Sequence, residues 1–296
     1  MTSLPADIGD ELLLTVAVIS HNEGMLLDAC LSRVEWADEI IVMDIGSTDN
    51  TQLVARRFGA KIISVPWVPI SERVRQIGLD ASRNEWVLHL DPDELVPLEM
   101  ETLWQSVVST QAECAAVRWP FEDVSFGSLT PRLTGGAAKL VLFSKSRVHF
   151  SSHMNAHEEP LLHGAIYDAV DVPSIEHHSF RSTDQAIEKL MRYARSGAAF
   201  ESSFEESPFL LPRLWFRHVV RSEAWRDGSP GIRVGTLLAI HDFVGICVRA
   251  ETASAVMKEP STAAVATLSA ASRVARLAVV VKSLKRRALE KAGVSR

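Results

Sequence analysis

Residues 12–44, LLLTVAVISHNEGMLLDACLSRVEWADEIIVMD, decide the fold. The first nine, LLLTVAVIS (12–20), are apolar and rich in β-branched side chains, the composition of a buried strand. In NEGMLLDACLSRV (22–34) the apolar residues recur at helical spacing. DEIIVMD (38–44) is a strand again. A strand, a helix and a second strand joined by short turns form a parallel pair through a right-handed crossover.

The alternation continues. STDNTQLVARRFG (47–59) reads as a helix, with Ser47 or Thr48 as its N-cap and Gly59 as its stop. AKIISV (60–65) is a third strand, PISERVRQIGLDAS (69–82) a third helix with Pro69 just before its first turn, and EWVLHLD (85–91) a fourth strand. The expected class is α/β, with a mostly parallel central sheet flanked by helices. Such sheets bind ligands at the carboxyl ends of their strands. Three of these ends are polar, at residues 20–23, 44–49 and 91–94, and topology puts them on one edge.

Past residue 100 the pattern loosens. ECAAVRWPFED (113–123) and LVLFSKSRVHF (140–150) read as strands, separated by a turn-rich loop, and HMNAHEEPLLHG (153–164) is polar with three histidines. STDQAIEKLMRYARSGAAF (182–200) reads as a helix capped at Ser182 or Thr183. RLWFRHVVRSEAW (213–225) sets Arg213, Arg217 and Arg221 on one helical face, with Trp215, Phe216, Val219 and Val220 elsewhere around it. The expected division is a free N-terminus (1–11), a catalytic domain (12–180), a helical C-terminal part (181–255) and a basic amphipathic tail (256–296). Within the catalytic domain, 12–100 is the nucleotide-binding half and 101–180 the acceptor half.

A chain of 296 residues with 47% apolar and 23% charged residues is ordinary for a globular protein. A net charge of -6 argues against a dedicated nucleic-acid binder. Cys30, Cys114 and Cys247 give neither a disulfide framework nor a zinc signature, and suit a reducing compartment. The acidic N-terminus is unlike a signal peptide, and no apolar run reaches 18 residues, so no membrane span is expected; GTLLAIHDFVGICV (235–248) is cut by His241–Asp242. Eight Lys or Arg against Glu290 alone after residue 260 make the tail basic.

Within WVLHLDPDELVP (86–97) an apolar run ends in Asp91, Asp93 and Glu94. Carboxylates so close repel unless a cation neutralises them. With Pro92 turning the chain between them, Asp91 and Asp93 can bind Mg²⁺ or Mn²⁺ and leave positions open for phosphate oxygens. The loop after the first strand is no phosphate loop, since both GxxxxGK[ST] and GxGxxG are missing there. HEEPLLH (157–163) is no zincin motif: four residues after His157 comes Leu161, and Pro160 would break the helix. A His–Glu pair remains, His157 as a candidate metal ligand and Glu158 as a candidate general base.

TVAVISHNE, ADEIIVMDIGSTDNT, RVRQIGLDAS, EWVLHLDPDE, HEEPL and HHSFRSTDQAIEKLMRYA, in this order, resemble the family 2 glycosyltransferases of the GT-A fold. The chain looks most like the bacterial branch that adds sugars to lipopolysaccharide cores and other envelope glycans. The resemblance covers residues 13–251 and implies a GT-A fold with a helical C-terminal extension. It implies donor contacts at Ser20, Asn22, Glu23, Asp44, Ser47, Arg75 and Asp91, a divalent ion on the diphosphate at Asp91 and Asp93, with His157 assigned as its third ligand, and Glu158 as the base. Where the family commonly has a small or acidic residue, Asn and Gly-Asp, this chain has Ile45, Gln76 and Asn84–Glu85, and it lacks the Glu-Asp base pair of many members.

The implied activity is inverting transfer of a hexose from a nucleotide-diphosphate sugar, expected to be a UDP-sugar, to a hydroxyl of a cell-envelope glycan or lipid-linked acceptor. The expected setting is cytoplasmic, at the inner face of the plasma membrane, where basic helices with tryptophan meet anionic lipid. The alternatives are a sugar nucleotidyltransferase, which the glycine-poor first loop disfavours, a catalytically inactive GT-A-like scaffold that binds a glycan or partner, and a peptide-glycosylating relative.

Overall fold

The computed structural model describes residues 12–68, 71–109, 113–134, 138–154, 158–195 and 209–256. The first half alternates as β1 (Leu14–Ser20), α1 (Gly24–Ser32), β2 (Glu39–Asp44), α2 (Thr51–Arg57), β3 (Lys61–Ser64), α3 (Arg75–Ala81) and β4 (Trp86–Leu90). Then come β5 (Glu94–Leu95), α4 (Met100–Ser109), β6 (Cys114–Ser125), β7 (Ser128–Leu129), α5 (Pro131–Thr134), β8 (Ala138–Ser144), β9 (Val148–His149), β10 (Leu161–Leu162), β11 (Ala165–Asp168) and β12 (Ile175–Phe180). Three helices follow: α6 (Thr183–Arg195), α7 (Leu210–Trp215) and α8 (Gly228–Val256).

The main sheet runs β3-β2-β1-β4-β8-β6-β12-β5. Its first four strands are parallel, as expected. Beyond β4 it becomes mixed: β8 lies antiparallel to both β4 and β6, β12 parallel to β6, and β5 antiparallel to β12. All seven residues of β1 are buried because both faces are covered. Leu14, Val16 and Val18 pack with Leu27 and Leu31 of α1 and Trp104 of α4. Ala17 and Ile19, pointing the other way, pack with Met43, Leu79 of α3 and Phe143. Gly78 lets α3 sit this close, since a Cβ there would stand 2.8 Å from the Met43 methyl.

The N-caps depart in one place from the sequence expectation. Ser182 caps α6, its Oγ accepting the Gln185 N–H at 3.2 Å. Helix α2 starts later than Ser47 or Thr48, at Thr51, whose N–H is taken by Asp49 Oδ1 at 2.9 Å. Ser47 instead accepts the Asn22 N–H at 2.9 Å, tying the β2 loop to the β1 loop. Pro69 and the basic tail lie outside the described residues.

The chain divides into two units, Met1–Glu251 and Thr252–Arg296. In the first, α8 packs on α6 through Val234 and Leu237, and on α7 through Ala239 and Ile246. The run broken by His241–Asp242 nonetheless belongs to a helical stretch, Ala224–Glu251, long and apolar enough to span a bilayer. Half of its most apolar window is buried inside the fold. Asp242 there holds His218 at 2.8 Å and His241 at 3.1 Å.

Candidate active site

Residues 91–94 form a tight turn. The Glu94 N–H donates to the Asp91 carbonyl at 3.0 Å with Pro92 at the second position, where its fixed φ fits. The Asp91 N–H donates back to Glu94 Oε2 at 2.9 Å. Glu94 is a buried residue of β5. Strand β12 sets His177 opposite Glu94 on one side and Asp123 of β6 on the other.

The compensating cations come from the protein itself. Lys139 of β8 reaches Asp91 at 3.3 Å and also pairs with Glu94. Arg75, buried at the start of α3, stands 3.6 Å from Asp91. Lys189 of α6 donates to Asp93 Oδ2 at 2.9 Å. His177 turns Nε2 to the same oxygen at 3.6 Å and Nδ1 to Asp123 at 2.7 Å, and Ser179 donates to Asp123 at 2.7 Å.

Burial raises the pKa of Asp93, but Lys189 and His177 outweigh it and hold the carboxyl far below its usual range. Asp91 behaves likewise: Lys139 and Arg75 overcome burial and keep it ionised. Burial opposes a charged His177, yet its bonds with Asp123 and Asp93 push its pKa up to about 10. Glu23 lacks comparable compensation, and burial followed by the charge of Asp93 lifts it to about 7.

These groups line a cleft of about 330 Å³. Glu23, Asp91 and Asp93 line it with His177, Lys139 and Lys189, and with Trp67, Arg192 and Tyr193. An adjoining hollow of about 210 Å³ holds Arg75, Arg118, Glu158 and Glu159, and shares Glu72 and Lys139 with the cleft.

Of the residues singled out in the sequence, Glu23, Asp91, Asp93 and Glu94 line the cleft, and Arg75 and Glu158 the hollow. Ser20, Asn22, Asp44 and Ser47 line neither. Asp44 is buried, its oxygens accepting the Ser47 N–H at 3.0 Å and the Gln52 amide at 2.5 Å. Asn22, at φ 55°, accepts the Thr48 N–H at 2.7 Å. This network shapes the loops beside the cleft. His157 lies outside the described residues. His177, Lys139 and Lys189 carry no site signal of their own in the sequence, although His177 and Lys189 both lie in the HHSFRSTDQAIEKLMRYA stretch that carries the family resemblance.

The donor chemistry suits a divalent ion carried by phosphate. Among the described residues no group of three or more His, Cys, Asp or Glu could hold one unaided. Mg²⁺ and Mn²⁺ on nucleotides are, however, commonly held by one or two carboxylates plus phosphate oxygens. Asp93 supplies a carboxylate, and His177 an imidazole oriented through Nδ1 by a carboxylate, as metal-binding histidines usually are.

A parallel α/β half leading into this acidic turn defines a GT-A-type fold. Residues 15–161 match the model of glycosyl transferase family 2, and the chain belongs to that family. The lipopolysaccharide core biosynthesis glycosyltransferase LpsC of Rhizobium meliloti is 22% identical over 246 residues, covering 79% of this chain and 90% of that one. A TPR repeat-containing protein of Synechococcus elongatus is 36% identical over 116 residues, 39% of this chain; the match spans only 28% of that relative's length. Among solved structures, glucosyl-3-phosphoglycerate synthase of Mycobacterium tuberculosis, in complex with Mn²⁺, UDP and glucosyl-3-phosphoglycerate, is similar at TM-score 0.37 and 20% identity, covering 46% of this chain and 57% of that one.

Proposed function

We propose that the chain is an inverting glycosyltransferase that moves a hexose from a nucleotide-diphosphate sugar, a UDP-sugar, to a hydroxyl of a cell-envelope glycan or lipid-linked acceptor. The observation that carries this reading is the meeting of the cleft at the Asp91–Pro92–Asp93 turn with the hollow that holds Glu158. The cleft takes the donor, and Lys139, Lys189 and Arg192 supply positive charge for a diphosphate. Asp93 would hold a divalent ion there, joined by His177 once the imidazole gives up the proton it shares with Asp93 and Asp123, and the ion would supply Lewis-acid neutralisation of the departing diphosphate. His157, the ligand expected from the sequence, lies outside the described residues, and His177 is the imidazole that stands at Asp93.

Glu158 takes the proton of the acceptor hydroxyl as that oxygen attacks the anomeric carbon from the hollow. The new C–O bond forms while the bond to the diphosphate breaks, and the electron pair leaves with the nucleotide. Attack opposite the leaving group inverts the configuration.

The acceptor reading draws support from LpsC and from the surface of α7 and the π-helical turn Phe216–Arg221. Phe209, Pro212 and Phe216 interleave there with Arg213, Arg217 and Arg221 around a shallow hollow. Phe216 thus shares the arginine face rather than lying elsewhere, and Val219 is buried. Aromatics among arginines suit an anionic lipid surface, and a cytoplasmic enzyme held at the inner face of the plasma membrane.

Two variants test the chemistry. Asp93→Ala should lose metal-dependent UDP binding. Glu158→Gln should keep donor binding and lose transfer by a factor of about 10² or more. Near-normal turnover by Glu158→Gln would move the base to another carboxylate, with Glu72 and Glu159 the nearest candidates in the same hollow.

A further inference from the structure

Two nitrogen-bearing side chains converge on one oxygen, Asp93 Oδ2: Lys189 Nζ at 2.9 Å and His177 Nε2 at 3.6 Å. Asp91 draws its compensation from other elements, Lys139 of β8 and Arg75 of α3. Asp93 thus owes its ammonium partner to α6 alone. That helix is firmly placed, capped by Ser182 and packed on α8 through Ala186 and Leu190. Three and four residues after Lys189, Arg192 and Tyr193 line the same cleft, so one face of α6 forms its wall.

We propose that Lys189 is a displaceable internal counterion: it occupies the cation position at Asp93 in the donor-free protein and competes there with a divalent ion. A lysine suits this role, since its ammonium is a compact point charge on a flexible stem. A divalent ion arriving alone must break the Lys189–Asp93 bond and cost the ammonium its hydrogen-bonded carboxylate. A nucleoside diphosphate in the same cleft gives Lys189 a replacement anion, so the exchange becomes favourable. Metal and nucleotide then bind with positive coupling, each tightening the other by the same factor. Lys189 is a positioning residue that sets the order of assembly. The inference rests on reading the cleft as a nucleotide-diphosphate site.

The test is Mn²⁺ binding to the full chain, read from loss of the free-ion EPR signal, with and without saturating UDP. Lys189→Met should bind Mn²⁺ alone about tenfold more tightly than the unaltered protein, the scale of one charge-assisted hydrogen bond. The tightening produced by UDP should shrink correspondingly, while Lys189→Arg keeps the original behaviour. If Lys189→Met fails to melt cooperatively, Lys189→Gln makes the same comparison. Mn²⁺ binding unchanged or weakened in the neutral variants, with the UDP effect intact, overturns the proposal. UDP binding with no Mn²⁺ binding in any variant also overturns it, and removes the metal from Asp93. Absence of both UDP and Mn²⁺ binding refutes the donor-site reading itself, so the two failures are distinguishable.

Discussion

Glu23 stands where the loop after β1 meets the cleft, and its carboxyl is lifted to about 7 by burial and by the charge of Asp93. Between the ordinary glutamate range near about 4.3 and the folded value, the native state binds more protons than the unfolded chain. Stability therefore falls as pH rises through that window and is greatest below it. The pKa difference sets an upper limit of about 4 kcal/mol. Glu23→Gln should flatten this slope and raise the Tm at about pH 8 in metal-free buffer; parallel Tm–pH curves for the two proteins would show that Glu23 is not strained. Asp91, Asp93 and Glu94 could be found from sequence because they adjoin in one turn. Their pairing with Lys139, His177 and Lys189 could not, because sheet register and helix packing bring these there from 45 to 96 residues away. The sequence posed a charge problem and suggested a metal; the structure meets much of it with lysine, arginine and histidine.

At the level of elements, α8 is apolar yet carries a buried carboxylate at Asp242. Burial works against its charge, but the hydrogen bonds with His218 and His241 hold its pKa well below the usual range. A depressed carboxyl stabilises the fold above its unfolded pKa, near about 3.9, and that contribution fades as pH falls toward the folded value. Asp242→Asn should cost about 2 kcal/mol at neutral pH, read by urea unfolding, and blunt the acid-side loss of stability. An unchanged urea midpoint would mean the His–Asp cluster is not a structural tie. Helix α3 makes a second prediction. Gly78→Val would force the helix off Met43 and Ala17 and carry Arg75 away from Asp91, at a cost of about 1–3 kcal/mol and with weaker UDP binding. Retained stability and binding would show that the close approach is dispensable. The alternating elements up to β4 were legible because β1, β2 and β4 are buried along their whole length and so read as continuous apolar runs between short helices. The two-residue β5 was not, since only its pairing with the distant β12 makes it a strand.

For the molecule as a whole, the GT-A-type fold follows from the parallel half and its family membership, while the mixed half emerges from long-range pairing around β6. The arginine–aromatic face of α7 predicts sedimentation with vesicles containing phosphatidylglycerol but not with phosphatidylcholine alone, lost when Arg213, Arg217 and Arg221 are changed to Glu. Equal binding of the Glu variant would exclude this face. The central claim, that the Asp91–Asp93 cleft receives a nucleotide-sugar donor, is met most directly by a thermal-shift panel of UDP, GDP and TDP compounds and their sugars, each with and without Mn²⁺. The account predicts a Mn²⁺-dependent rise in Tm with UDP or one UDP-sugar, abolished in Asp93→Ala. A flat panel across every nucleotide and sugar would contradict it.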